Sequence, residues 1–257
     1  MREMLAPDAP AHALDAIIFV LFEPQDVVNI GGVARAMSNF GLRRLRLVEP
    51  AEYDPDRVRG IAHQADAVIA GITVFPTLPA ALADCGLVVA TTGRRRRLHH
   101  ARQSPRAAAS VLLAAARPEA PVAVLFGRED TGLPNSALDE AHRVITIPTD
   151  PAHHSLNLAQ AALVVAYELW LARAAGAARP DASPGPAARA ARATLLGALD
   201  TLVQTHRAFP PDRRAADLAL LWTLLLRAMP DRAEAARLAY LLRRLARPAG
   251  DEDAPRP

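Results

Sequence analysis

The chain has no lysine. All 30 of its basic residues are arginine, set against 27 acidic ones, so 257 residues carry a formal net charge of only +3. So small a surplus identifies no partner, and the arginine bias, with 22 prolines, reflects genomic base composition as readily as function. Arginine does bring a planar, permanently charged fork suited to phosphate. Aromatic residues are only 4%, too few for a platform on which bases stack in series. A single cysteine, Cys85, excludes a disulfide framework and a multi-thiolate zinc site; it points to a reducing, intracellular setting and reads as a small buried residue. His99-His100 and His153-His154 are adjacent pairs rather than an i, i+4 couple, so no metal is expected. No apolar run approaches the ~20 residues of a membrane helix. The first such run, 17–22, ends at Glu23-Pro24 with no small-residue cleavage site behind it, so no targeting segment and no membrane partner are expected, and the localisation reads as cytoplasmic.

What is present is enough apolar sequence, 51%, to bury a core and exclude global disorder. Six short apolar strands are predicted at 16–22, 44–48, 72–75, 87–91, 122–126 and 144–147. Helical patterns lie between them at 29–39, 56–68, 77–84, 105–116 and 135–141. Unalternating strands separated by helices predict an α/β fold whose mostly parallel sheet is covered on both faces. A long helix over 155–175 carries two apolar stripes, one through Leu163, Tyr167 and Trp170, the other through Leu158, Ala162, Val165 and Leu169. One stripe suits the sheet; the other suits either a second subunit or the C-terminal segment. The organisation is therefore a flexible start (1–15), a sheet domain (16–175), an Ala/Pro/Gly-rich linker (176–186), a helical extension (187–250, with helices at 187–207, 213–228 and 232–247) and a disordered tail (251–257).

The turn after the first strand contains neither G-x-G-x-x-G nor G-x-x-x-x-G-K-S/T, so ordinary dinucleotide and P-loop readings find no support. G-x-S-x-G is also absent, so His153 near Ser155 does not make a hydrolase. Three other segments stand where a parallel strand ends or a helix begins, the place where open α/β sheets bind ligands. They are Asn29-Ile30-Gly31-Gly32-Val33-Ala34-Arg35, Phe126-Gly127-Arg128-Glu129-Asp130-Thr131-Gly132-Leu133 and Ser155-Leu156-Asn157-Leu158-Ala159. Each also has a plain structural account. The glycines suit turns, Ser155 suits a helix N-cap, and Asn157 an ordinary first helical turn. Glu129 and Asp130 suit a solvated loop, and Arg35 a helix surface. A fourth feature is charge: between Asp84 and Glu119 there is no acidic residue, yet Arg94, Arg95, Arg96, Arg97, Arg102, Arg106 and Arg117 fall there. That run is either a solvated face or a phosphate contact.

In order and separation the three segments resemble the SpoU/TrmH branch of the SPOUT RNA methyltransferases, in particular its TrmJ-type members. Those carry N-I/L-G-x-V/I-x-R, F-G-x-E-x-x-G-L and S-L-N-L/V-A/S. The likeness runs from about residue 16 to 171 and continues more faintly over 225–245, while the Arg94–Arg97 run departs from the usual pattern. The resemblance implies a trefoil-knotted α/β domain that binds S-adenosylmethionine, works as a homodimer and carries a small helical extension. It implies an RNA ribose 2′-O-methyltransferase whose substrate is tRNA, at the anticodon-loop pyrimidine at position 32. A ribosomal RNA enzyme of the same scaffold and a catalytically silent RNA-binding module remain the alternatives. By matching position, the implied catalytic residues are Arg35, Asn29, Ser155 and Glu129. The implied cofactor residues are Thr91, Thr92, Gly93, Gly127, Glu129, Gly132, Ile147, Leu156 and Asn157. Arg35 and Arg94, Arg95, Arg96 and Arg97 are the implied RNA contacts. Gly127 and Gly132 are expected to let backbone approach the cofactor, and Asn29 to orient Arg35 or the ribose.

Overall fold

A run of six apolar residues has no polar face to offer water, and Ile17–Phe22 accordingly forms a central strand, β1, all but its last residue buried. Around it the computed structural model describes residues 12–93, 102–152, 155–176 and 186–246. The other strands are β2 (Arg44–Val48), β3 (Thr73–Phe75), β4 (Leu87–Thr91), β5 (Arg102–Gln103), β6 (Val122–Phe126) and β7 (Arg143–Ile145). They form one sheet in the order β3-β2-β1-β6-β4-β7-β5. Every pairing between these strands is parallel, with Phe19 opposite Leu45 on one side and Val124 on the other. The Phe19 and Phe126 rings pack 5.0 Å apart in the middle of it. β5 escapes sequence reading because two residues carry no periodicity; it is defined only by its pairing to β7.

The helices of this unit are α1 (His12–Asp15), α2 (Val27–Asn39), α3 (Pro55–Ile61), α4 (Asp66–Ala70), α5 (Leu78–Ala81), α6 (Pro105–Ala115), α7 (Asn135–Asp139) and α8 (Leu158–Ala174). Several boundaries differ from the sequence reading for local reasons. Residues 12–15 are helical, with Ala13 and Leu14 buried, where a flexible start is expected. α2 begins two residues early because Asp26 caps it, its carboxylate accepting from the Val28 N–H at 2.8 Å. The pattern over 56–68 divides into α3 and α4 at a turn in which Gln64 takes φ +62°. α8 starts at Leu158 rather than 155: Asn157, not Ser155, is its cap, in a reciprocal box with Gln160.

α8 buries Leu158, Ala162, Val165, Ala166 and Leu169, whereas Leu163, Tyr167 and Leu171 stay exposed. One predicted stripe is therefore buried, while of the other Leu163 and Tyr167 are exposed and Trp170 is half-buried beside Gly41. Cys85 is buried, as its type suggests.

The chain divides into two compact units between Gly185 and Pro186. The second contains α9 (Arg189–Thr205), α10 (Arg214–Ala228) and α11 (Arg232–Leu245), close to the three predicted helices. α9 and α11 meet through Ala187, Leu195, Ala198, Ala235 and Ala239. Met229 in the left-handed region (φ +49°) ends α10, and an Asp231–Glu234 capping box opens α11. Of the expected linker, 177–185 lies outside the described residues, as do 1–11 and the tail.

Candidate active site

The C-terminal ends of β4, β6 and β7 and the segment leading into α8 surround a cavity of about 260 Å³. Thr91, Thr92 and Gly93 line it from β4, and Phe126 to Glu129 with Gly132 and Leu133 from β6. Ile145, Ile147 and Thr149 follow β7, and Ser155, Leu156, Leu158 and Ala161 close the far wall. Eight of the nine predicted cofactor residues thus share one wall system; Asn157 is the ninth and does not line it. Thr91 is fixed by its hydroxyl, which donates to the Leu125 carbonyl at 2.8 Å, and the Thr92 N–H donates to the Ile145 carbonyl at 3.0 Å.

The two loop glycines have different reasons. A Cβ at Gly127 would lie 2.2 Å from the Leu133 nitrogen, because the 127–132 loop closes on itself through a Gly132 N–H to Arg128 carbonyl bond of 2.9 Å. That loop closure, rather than a cofactor's approach, accounts for Gly127. Gly132 has φ +69°, and a Cβ there would meet no protein atom. The glycines of the first segment are packing residues. A Cβ on Gly31 would strike Ile61 Cγ2 of α3 at 2.7 Å, and one on Gly32 would meet the Ala159 Cβ of α8 at 2.8 Å.

That close α2–α8 approach brings together residues far apart in sequence. Asn157 Oδ1 accepts from the N–H groups of Ala159 (2.8 Å) and Gln160 (3.3 Å), so its amide cannot be turned round. Asn157 Nδ2 must then donate outward, and it does so to Asn29 Oδ1 at 2.8 Å. Asn29 is left to donate through Nδ2, to Glu129 Oε1 at 2.9 Å. Glu129 Oε2 also accepts from the Gln25 N–H at 3.0 Å. The relay runs in one direction and ends on the Glu129 carboxylate, which accepts from both Asn29 and the Gln25 N–H. The expectation that Asn29 orients Arg35 is therefore corrected: its amide is committed to Glu129 and Asn157.

Arg35 lies six residues beyond Asn29, about 120° round the helix, and does not line the cavity. Its Nη1 donates to the His63 carbonyl and to Gln64 Oε1, the latter at 3.4 Å. Ser155 does line the cavity and is exposed. Arg94, Arg95, Arg96 and Arg97 lie outside the described residues, as do both histidine pairs. Among the described residues no group of three or more metal-ligating side chains is found.

Sequence reasoning missed Arg128 and set Asp130 aside, yet both line the cavity. Arg128 grips Asp130 with two bonds of 3.0 Å and reaches Glu23, in the loop after β1, at 3.1 Å. The guanidinium holds the Asp130 carboxyl well below the usual carboxylate range, helped by the Thr131 N–H and hydroxyl. Arg128 in turn sits above its ordinary value, first through Asp130 and then Glu23. The only signal in the sequence is opposite charge two positions apart, which does not reveal the third partner 105 residues away.

The SpoU rRNA Methylase family model matches residues 16–167. A protein of Pectobacterium atrosepticum named tRNA (cytidine/uridine-2′-O-)-methyltransferase TrmJ is 38% identical over 177 residues, 67% of this chain and 73% of that one. A protein of the same name from Klebsiella pneumoniae is 40% identical over 62% of this chain and 66% of its own length. Among solved structures, TrmJ from Z. mobilis superposes with a TM-score of 0.75 at 34% identity, covering 90% of this chain and 99% of that one. A probable methylase family protein from Haemophilus influenzae gives 0.60 at 29% identity, covering 90% and 96%.

Proposed function

The chain belongs to the SpoU rRNA methylase family, and on that premise we propose that it is an S-adenosylmethionine-dependent ribose 2′-O-methyltransferase acting on tRNA. The observation that carries this reading is convergence: the second and third motif segments line one cavity, and Asn29 of the first is tied to them through Glu129 and Asn157. The relatives named above act, by their names, on tRNA cytidine and uridine ribose. Within this reading the target is the anticodon-loop pyrimidine at position 32, the sheet domain carries the SPOUT trefoil knot, and the helices beyond Pro186 are the family's C-terminal extension. The working form is a homodimer joined through the exposed α8 stripe of Leu163, Tyr167 and Leu171, whose relative exposures are 42, 43 and 38%.

The cavity fits an adenosine-bearing sulfonium. Leu133, Ile145, Ile147 and Leu156 supply apolar contact around strand-end backbone groups, Gly132 leaves its Cβ direction open, and Glu129 and Asp130 place negative charge on the wall. When bound, S-adenosylmethionine supplies an electrophilic methyl for a ribose 2′-oxygen. Thr91, Thr92, Gly127 and Leu156, which line the cavity, would hold and orient it. Ser155 hydrogen-bonds beside the 2′-hydroxyl. Arg35 holds an RNA phosphate and stabilises the developing alkoxide as a fixed cation, and the 2′-hydroxyl proton passes to water.

Ribose-methylation mapping of total RNA from cells with and without the gene tests the whole reading. One anticodon-loop signal at position 32 should disappear and return on complementation. An unchanged tRNA profile, or loss of a ribosomal signal instead, overturns it.

A further inference from the structure

We infer that Gln64 is a positioning residue for Arg35: the strained turn between α3 and α4 exists to aim that guanidinium. Gln64 has φ +62°, the left-handed region that side chains other than glycine seldom adopt. Strain of this kind persists only where the surroundings enforce it. Here the turn is closed by its own Ala65 N–H to Ala62 carbonyl bond and held from outside by groups along one face of α2. Gly31 lets α3 approach so closely that any Cβ would strike Ile61. One turn on, Arg35 Nη1 donates to the His63 carbonyl and to Gln64 Oε1 at 3.4 Å. Three residues further, Ser38 Oγ donates to the Gln64 carbonyl at 3.0 Å. Two side chains of α2 thus grip the one residue in the turn whose backbone is unfavourable.

A turn needing this conformation for shape alone is best served by glycine. Glutamine keeps the strain and adds an acceptor for a cation. A long, flexible arginine on a helix surface otherwise samples many rotamers, and a backbone acceptor on the turn together with the Gln64 side-chain oxygen beside it narrows them before RNA arrives. The inference rests on the reading of Arg35 as the substrate-side cation, and its test separates the two.

Gln64→Gly, Ser38→Ala and Arg35→Ala are compared with wild type for melting temperature, S-adenosylmethionine affinity by calorimetry, and kcat and KM on a tRNA transcript. Glycine relieves the backbone while removing the acceptor, so stability and activity should move apart. Gln64→Gly should melt at the same or a higher temperature and bind S-adenosylmethionine within about twofold of wild type, yet lose about tenfold in kcat. Ser38→Ala, which loosens the turn without touching Arg35, should lose about threefold. If Gln64→Gly keeps kcat within about twofold while Arg35→Ala abolishes it, the positioning role is wrong and the reading of Arg35 stands. If kcat and melting temperature fall together, Gln64 is merely structural. If Arg35→Ala itself retains kcat, the reading of Arg35 fails and the inference falls with it.

Discussion

Asn157 carries two jobs in one side chain, and they can be separated. Its Oδ1 caps α8, while its Nδ2 begins the relay through Asn29 to Glu129. Aspartate caps a helix as well as asparagine does but has no N–H to donate. Asn157→Asp should therefore cost less than about 1 kcal/mol in urea denaturation, since the cap survives. It should nevertheless weaken S-adenosylmethionine binding about tenfold or more, because it sets a second carboxylate into the relay and leaves Asn29 Oδ1 without its donor. Asn157→Ala should lose about 1 kcal/mol more in stability, the ordinary worth of a lost cap. Equal stability losses in the two variants would contradict the division. None of this pairing is visible residue by residue. Asn29, Glu129 and Asn157 stand out in the sequence as motif members, but the direction of their hydrogen bonds comes from the helix cap, a place for which Ser155 is as good a candidate by type as Asn157.

At the scale of elements, strand positions were legible because a strand buried on both faces must be apolar throughout, and β1 and β6 are, as is β4 up to its last residue, Thr91. Helix ends were less so: Asp26 and Asn157 act through contacts two or three residues away, and the 56–68 pattern hid a break because glutamine, not glycine, occupies the left-handed position. The glycines of the first motif looked like turn residues and prove to be contact points between helices, since packing partners 30 to 127 residues distant leave no local trace. α8 shows the same limit. Its two stripes were readable, but which one meets the protein's own core was not. If the exposed stripe is the dimer seam, charge placed there should separate subunits without unfolding them. Tyr167→Glu combined with Leu163→Glu should halve the mass seen by light scattering while shifting stability of the monomer by about 0.5 kcal/mol or less, as surface changes usually do. A variant that remains dimeric places the seam elsewhere.

For the molecule as a whole acid is the informative perturbation: with no lysine, alkali leaves the 30 basic side chains charged, whereas acid discharges the 27 carboxylates. Two of those carboxylates are tuned by arginines in the sheet unit. Asp84 sits below its ordinary value through Arg46, which binds it at 2.7 and 2.8 Å, and Asp130 through Arg128. A depressed folded-state pKa means that the unfolded chain binds the proton more readily. Each pair therefore stabilises fully above the unfolded value near ~3.9 and is lost as pH falls from there through the folded value. Neither shift falls in the second unit, where α9 to α11 have their own small core. Urea midpoints followed between pH 7 and pH 3 should hold steady to about pH 5 and then fall, first for the transition that reports the sheet unit. Asp84→Asn and Asp130→Asn should each lower the midpoint at pH 7 and flatten that decline, because the neutral side chain has no proton left to bind. The same acid slope in the Asn variants as in the wild type would show that the two arginine–aspartate pairs do not set the acid limit of the fold.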